Sequence, residues 1–423
     1  MKKIIGIVLA CFLYATSTFG VTLDFYHLWP KGGPVVTDEV LWDAVQSFEA
    51  ENPDIKINWM PDPVDQWDVK IKAMYAAGEL PHVFATQPAD FQSFKDAQLV
   101  RKLDDVLADD PDWGVIPGSY KTIYNPDDGG VYGIAFSGYF ELIYYNQKLF
   151  DEHALEYPKT WDELLNVVDT FVEAGIVPFA TGGKDGWIVS IQSHYLMDRE
   201  MGFDYFYDSL MSGKRENTWD NPGYIRAFDR LAELAKRGAF GENVLANGYA
   251  DGASLFYTGQ AAMFLMGSWE INSASNSEIA DHIRIGNYVS IPGGQGDQTA
   301  VTRGYGKSFA IRAGLSEEED KAAVKFLKHI TSKEVSLAIV EGGELTGTNL
   351  PEGADPDVPR LMVEHFDVFD SAKSSWAAYG EFTLPAMYAE WNRMGQQLMA
   401  GQIDGEGAAK YLEKHRLKIH FSE

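Results

Sequence analysis

An α/β fold built in more than one domain is what this chain predicts, on three observations. Short apolar strands alternate with amphipathic helices, hydroxyl-plus-glutamate pairs mark helix starts, and 423 residues exceed what one core holds. At roughly 150 residues per domain the length implies two or three domains. Apolar residues make up 45 % of the chain, and 24 Phe, 21 Tyr and 11 Trp supply material for large cores, which excludes a disordered polypeptide.

The first segment reads as an export signal rather than as part of the fold. Lys2 and Lys3 precede an apolar run over 4–15 and then Thr16-Ser17-Thr18. Residues 1–20 are therefore expected to be a signal peptide cut before Val21, with Thr18 and Gly20 as the small residues that cleavage needs. The run is shorter than the roughly 20 residues that span a bilayer, and no later stretch is long and uncharged enough to anchor the chain. A soluble, secreted or periplasmic protein is expected. Cys11, the only cysteine, lies inside the signal. Val8-Leu9-Ala10-Cys11 also permits a lipid-anchored form, a reading weighed below cleavage because it strands Phe12-Leu13-Tyr14 outside the apolar core. With cleavage at Val21 there is no disulfide, thiol nucleophile or Cys-ligated metal.

Residues 21–27 alternate as a strand and stop at Leu28-Trp29-Pro30, before Gly32-Gly33-Pro34. Thr37 is placed to cap a helix whose Leu41, Val45 and Phe48 share one face, and Asn52-Pro53 ends it before a strand over 55–59. A helix over about 66–77, the breakers Gly78 and Pro81, and a strand over 82–86 repeat the pattern, which points to a parallel sheet. Capping boxes at Thr160…Glu163 and Ser316…Glu319 start two further helices. Pro222 and Gly238 bracket another, with Ile225, Phe228, Leu231 and Leu234 inward. Strands are expected over 142–145, 261–266 and 308–311. Met263, Met266, Trp391, Met394 and Leu398 read as core.

Charge and motif content exclude several functions. With 35 basic against 62 acidic residues, a formal charge of -27 repels phosphate backbones and anionic membranes, so no nucleic-acid partner is expected. There is no G-x-S-x-G elbow and no H-E-x-x-H, and the nine histidines lack metal-ligand spacing. No catalytic residue, metal or cofactor is assigned. Gly306-Lys307-Ser308 imitates the end of a phosphate loop, but the earlier glycine is replaced by Val301 and a strand follows where a helix is required. Asp127-Asp128-Gly129 and Asp109-Asp110-Pro111-Asp112 lack calcium-loop spacing and read as solvated turns. Acidic pairs at glycosidase separation cannot be read from a sequence, so glycoside hydrolysis stays open without positive support.

What remains is a set of aromatics beside chain breakers, where strands should end: Trp29 before Pro30, Tyr139 after Gly138, Trp187 after Gly186, Trp269 after Gly267-Ser268, and Tyr305 between Gly304 and Gly306. Loops at the carboxyl ends of strands line the crevice of open α/β sheets. A flat ring there suits the C–H face of a pyranose, while Gln87, Asp90, Glu270 and Arg303 stand near strand ends to meet hydroxyls. The competing reading of each ring is ordinary core packing, and Trp376 is balanced between surface packing and the cleft.

Together these motifs resemble the extracellular solute-binding proteins of ABC sugar importers, the family of maltodextrin- and multiple-sugar-binding proteins. The likeness runs through Leu23-Asp24-Phe25-Tyr26-His27-Leu28-Trp29, Phe48-Glu49-Ala50-Glu51-Asn52-Pro53, Gly78-Glu79-Leu80-Pro81-His82-Val83, Tyr144-Tyr145-Asn146-Gln147-Lys148-Leu149-Phe150 and Pro158-Lys159-Thr160-Trp161-Asp162-Glu163. It continues through Phe256-Tyr257-Thr258-Gly259-Gln260-Ala261-Ala262-Met263 with Gly267-Ser268-Trp269. His82 stands where the family usually has Asp, and Gly342-Gly343-Glu344-Leu345 lacks the proline of a late family segment.

The resemblance implies a two-lobed periplasmic-binding-protein fold with several hinge crossings. One lobe is expected from 21–136 plus 298–343, the other from 137–297 plus 344–423. It places Trp29, Gln87, Asp90, Tyr139, Trp187, Trp269 and Tyr305 in the cleft, beside the candidates Glu270, Arg303 and Trp376. It implies a monomer that binds a carbohydrate by closing over it and is read by the membrane permease subunits of an ABC transporter. A non-sugar solute on the same fold, such as a polyamine or metal chelate, is the alternative within the family. A secreted glycoside-active enzyme is the alternative outside it.

Overall fold

The computed structural model describes residues 20–87, 90–116, 128–207 and 218–421. The expected signal, Cys11 and Asp127 lie outside the described residues. Among the described residues, nine strands form one sheet: β1 (Val21–His27), β2 (Ile55–Pro61), β3 (Val83–Thr86), β4 (Ile134–Asn146), β5 (Val177–Phe179), β6 (Ala261–Gly267), β7 (Ile283–Gly286), β8 (Val301–Ile311) and β9 (Ser375–Trp376). The order is β2-β1-β3-β8-β4-β6-β5, with β7 on β4 and β9 on β8.

The expected parallel sheet is corrected to a mixed one. β1 pairs in parallel with β2 and β3, and β5 with β6, as the β-α-β pattern requires. β8 runs antiparallel to β3 and β4, and β4 antiparallel to β6 and β7. Apolar periodicity marks a strand but carries no direction, and β4 and β8 extend beyond the apolar runs 142–145 and 308–311 that mark them. Both continue through polar and glycine-rich segments in which periodicity is silent, because each supplies the other's hydrogen bonds.

Apolar residues separate into two cores. One draws on 21–136 and 305–339 with Ala377; the other on 140–301 and 345–412. β4 contributes Ile134 and Phe136 to the first and Phe140 and Leu142 to the second, while β8 contributes Phe309 to the first and Val301 to the second. Between those halves, Gly138 faces Tyr305 and Tyr139 faces Gly304 across the ladder, and the register shifts around Ser137. Leu345 bridges to Gly138, so a third segment joins the crossing. A Cβ on Gly138 would stand 2.6 Å from that of Leu345, so only glycine admits the third segment.

Both capping boxes form: Thr160 accepts from the Glu163 N–H, and Ser316 from the Glu319 N–H. Asn221 caps the helix Pro222–Lys236, and Gly78 and Gly238 take the left-handed φ that ends a helix. Met263, Met266, Trp391, Met394 and Leu398 are buried. Thr37 does not cap its helix. The N-cap is Val35, whose N–H donates to Asp38 Oδ2 at 3.0 Å, and the Thr37 hydroxyl is used for a contact across the molecule. His82, at the family's Asp position, accepts from the Asp24 N–H through Nδ1 at 3.0 Å.

Candidate functional site

The turn Ser268–Glu270 follows β6 and folds the Trp269 indole back over Gly267, where a Cβ would lie 2.0 Å from the ring. Glycine is thus required for the indole to lie flat against the strand end. Trp187 enters from the first turn of the helix Gly186–Met201. Its ring centroid is 6.3 Å from that of Trp269 and 5.5 Å from that of Tyr249, and the Trp269 indole N–H donates to the Tyr249 hydroxyl at 3.0 Å. Tyr139 completes the group, 5.9 Å from Trp269 at an interplanar angle of 67°. Trp187 and Trp269 remain partly exposed, whereas Tyr139 is buried. Tyr249 is brought in by the helix Tyr249–Tyr257, in which a Cβ on Gly252 would stand 2.6 Å from the Gly182 nitrogen.

A polar group adjoins these rings. Tyr139 donates through its hydroxyl to Glu381 Oε1 at 2.6 Å and accepts from the Ala378 N–H at 3.0 Å. Lys307, on the first-core half of β8, lies within the field of Glu381, Asp68 and Asp90. It sits 3.5 Å from Gln87 Oε1 and 5.4 Å above the Trp67 ring. The Gln87 amide donates to Asp68, and Asp68 pairs with Lys72 at 2.8 Å. Burial raises the carboxyls of Glu381 and Asp90 and lowers the Lys307 ammonium, since each charged form loses water. The mutual attraction of Lys307 and Glu381 opposes both shifts. Glu381 Oε2 and Asp90 Oδ2 are buried without a hydrogen-bond partner.

The structure therefore brings together Tyr139, Trp187, Trp269, Gln87 and Asp90 of the sequence candidates, the first three through ring contacts and the last two around Lys307. Tyr305 is 9 % exposed on β8 beside Gly138, and Arg303 stacks over Tyr305 and Phe369 rather than reaching the ring group.

Three further candidates make other contacts. Trp29 is 5 % exposed and packs edge-on against Phe136 and Phe309, because the Trp29 N–H is tied back to His27 Nδ1. Trp376 is buried among His194, Tyr195, Phe203 and Tyr379, since β9 hydrogen-bonds to β8 and turns the indole into the second core. Glu270 turns away to accept from the Tyr257 hydroxyl and is 4 % exposed.

Tyr249, Glu381, Lys307 and Asp68 escaped sequence reasoning. Tyr249 follows Gly248 and meets the same aromatic-beside-breaker criterion; Lys307 was visible in the rejected phosphate-loop mimic; Glu381 and Asp68 carry no local signal. Surface cavities of about 420 and 400 Å³ lie elsewhere, around Phe240 and Leu155. Among the described residues there is no cluster of His, Cys, Asp and Glu suited to a metal, and no helix long and apolar enough to cross a membrane.

Residues 33–336 of this two-core α/β chain match the family of bacterial extracellular solute-binding proteins. The chain belongs to that family. This solute-binding protein is 24 % identical to a multiple sugar-binding protein of Streptococcus mutans serotype c over 74 % of its own length and 71 % of the relative's. It is 23 % identical to an uncharacterized ABC transporter extracellular-binding protein of Pyrococcus horikoshii, over 58 % of this chain and 55 % of that one. Among solved structures, a chitin oligosaccharide binding protein superposes with a TM-score of 0.85 at 26 % identity, covering 95 % of this chain and 99 % of that one. The solute-binding protein thus has the two-lobed α/β fold of its structural neighbours, which are binding proteins rather than enzymes.

Proposed function

We propose that this protein captures a saccharide outside the cytoplasmic membrane, between lobes divided near Gly138 and Gly304, and delivers it unaltered to the membrane subunits of an ABC importer. The observation that carries the reading is the partly exposed wall of Trp187 and Trp269 beside the Tyr139–Glu381 hydrogen bond. Indole faces accept the C–H side of a pyranose, and adjacent carboxylates accept its hydroxyls. A sugar touching both the ring wall of the second core and the Lys307–Gln87–Asp90 group of the first binds the closed arrangement better than an open one. Only that difference drives closure. The crossing at Gly138 and Gly304 supplies the hinge.

The sugar-binding relatives support a carbohydrate over the alternative solutes, and the binding-protein neighbours support capture without turnover. Titration of the purified chain with neutral oligosaccharides, followed by calorimetry and by chromatography of the recovered sugar, tests the reading. Binding with intact sugar is expected. Cleavage of the sugar would transfer the site to glycoside chemistry, and binding of a polyamine or metal chelate alone would transfer it to another solute.

A further inference from the structure

The carboxylates around the ring wall outnumber the cations. Asp68, Asp90, Glu141 and Glu381 stand against Lys72 and Lys307, and Lys72 is already paired with Asp68. Lys307 has Glu381 as its strongest opposite charge. Of the other two, Glu141 lies 3.0 Å from His194 Nε2, and Asp90 is in the field of Lys72 and Lys307 without pairing with either. Asp90 is 4 % exposed at the start of the helix Phe91–Asp96, and its Oδ2 has no hydrogen-bond partner. Glu381 Oε2 is likewise buried without one, although its Oε1 holds Tyr139.

Two buried carboxylate oxygens without donors specify what a ligand must bring. Asp90, raised by burial only to about 6, is ionised at pH 8 and accepts, so the bound surface has to present O–H or N–H groups to it; an acid group would present more acceptors and a like charge in a site screened from water. Among the described residues, Lys72 is paired with Asp68, Lys307 faces Glu381, and Arg303 packs over the Tyr305 and Phe369 rings.

We propose that the polar wall excludes anions: Asp90 and Glu381 select neutral and amino saccharides and reject uronates and sugar phosphates. The inference rests on the saccharide reading above and adds the charge class of the sugar. Selection of this kind works through an unpaired like charge in the wrong partner rather than through extra contacts with the right one.

The test compares maltotriose, cellotriose and triacetylchitotriose with the same sugars oxidised at C6 to uronates, and triacetylchitotriose with its de-N-acetylated form, by calorimetry at pH 8. Measurement in 0.5 M salt screens the long-range repulsion from the chain's overall charge of -27, so that local discrimination is what is read. The neutral sugar that binds is expected to do so at least about tenfold more tightly than its uronate, and an amino form to bind at least as well. D90N is expected to shrink the preference and K307M to enlarge it, opposite signs that loss of packing does not produce. E381Q gives a second reading of the first effect should D90N not fold. Uronate binding as tight as neutral binding, or equal preferences in D90N and K307M, overturns the inference and leaves saccharide capture standing. Binding of no saccharide at all removes both.

Discussion

Thr37 Oγ1 donates to Glu344 Oε1 at 2.9 Å, joining residues 307 positions apart and tying the first-core helix Val36–Glu51 to the segment that crosses into the second core. Glu270 and Asp38 lie within electrostatic reach of Glu344, and all three carboxyls are buried. Burial pushes Glu344 up to about 7 and Glu270 up to about 8, each against a usual value of 4.5, and Asp38 up to about 7 from 3.8.

These carboxyls bind their protons more tightly in the folded chain than in the unfolded one. Their contribution is therefore complete below about pH 4 and is lost as pH rises through about 7 to 8. Thermal unfolding followed from pH 5 to 9 should show stability falling from pH 5 to about 8 and levelling above it. E344Q keeps the acceptor for Thr37 while removing the titration, so its profile should be flatter, with a gain of order 1–3 kcal/mol at pH 8. A parallel profile in wild type and E344Q would contradict the assignment.

Trp269 and Trp29 separate ligand contact from packing. W269A and W187A should weaken saccharide binding by about tenfold or more, roughly 1.4 kcal/mol, while the fold is retained because both indoles are partly exposed. W29A removes a buried ring and should cost ~3–5 kcal/mol of stability. Calorimetry and denaturant unfolding on the same three variants distinguish the two roles.

Y139F deletes one hydroxyl with two partners. It leaves the Ala378 N–H and the Glu381 carboxyl without the oxygen they share. A stability loss of ~1–3 kcal/mol is expected, together with weaker saccharide binding, since Glu381 loses the group that positions it. Unchanged affinity in Y139F would detach Glu381 from the site.

The approach of Gly252 to Gly182 carries the aromatic wall indirectly. A methyl at Gly252 meets backbone at 2.6 and 2.7 Å, so the helix bearing Tyr249 has to move. G252A should therefore cost about 1–3 kcal/mol and lower saccharide affinity through a displaced Tyr249. Tyr249→Phe, which removes only the acceptor for the Trp269 N–H, should have the smaller effect on unfolding.

Much of the fold is written locally. The capping boxes at Thr160 and Ser316, the terminators Gly78 and Gly238, and the alternation of 21–27 each depend on residues a few positions apart, and each formed where periodicity and capping chemistry put it. Thr37 failed as a cap because a distant carboxylate competes for its hydroxyl, which no local pattern reveals. The antiparallel course of β4 and β8 was missed for a related reason: Ser137-Gly138 and Gly304 weaken the apolar signal where the two strands support one another.

The site divides along the same line. Sequence alone determined that aromatics stand beside chain breakers, that a family signature runs through Phe256 to Trp269, and that thiol and metal chemistry have no motif. Tertiary structure decided which rings meet. It gathered Trp187, Trp269, Tyr139 and Tyr249, buried Trp29 and Trp376 in opposite cores, and set Lys307 opposite Glu381. Backbone conformation and capping are settled by neighbours along the chain, whereas the exposure and charge partners of a side chain depend on segments hundreds of residues away.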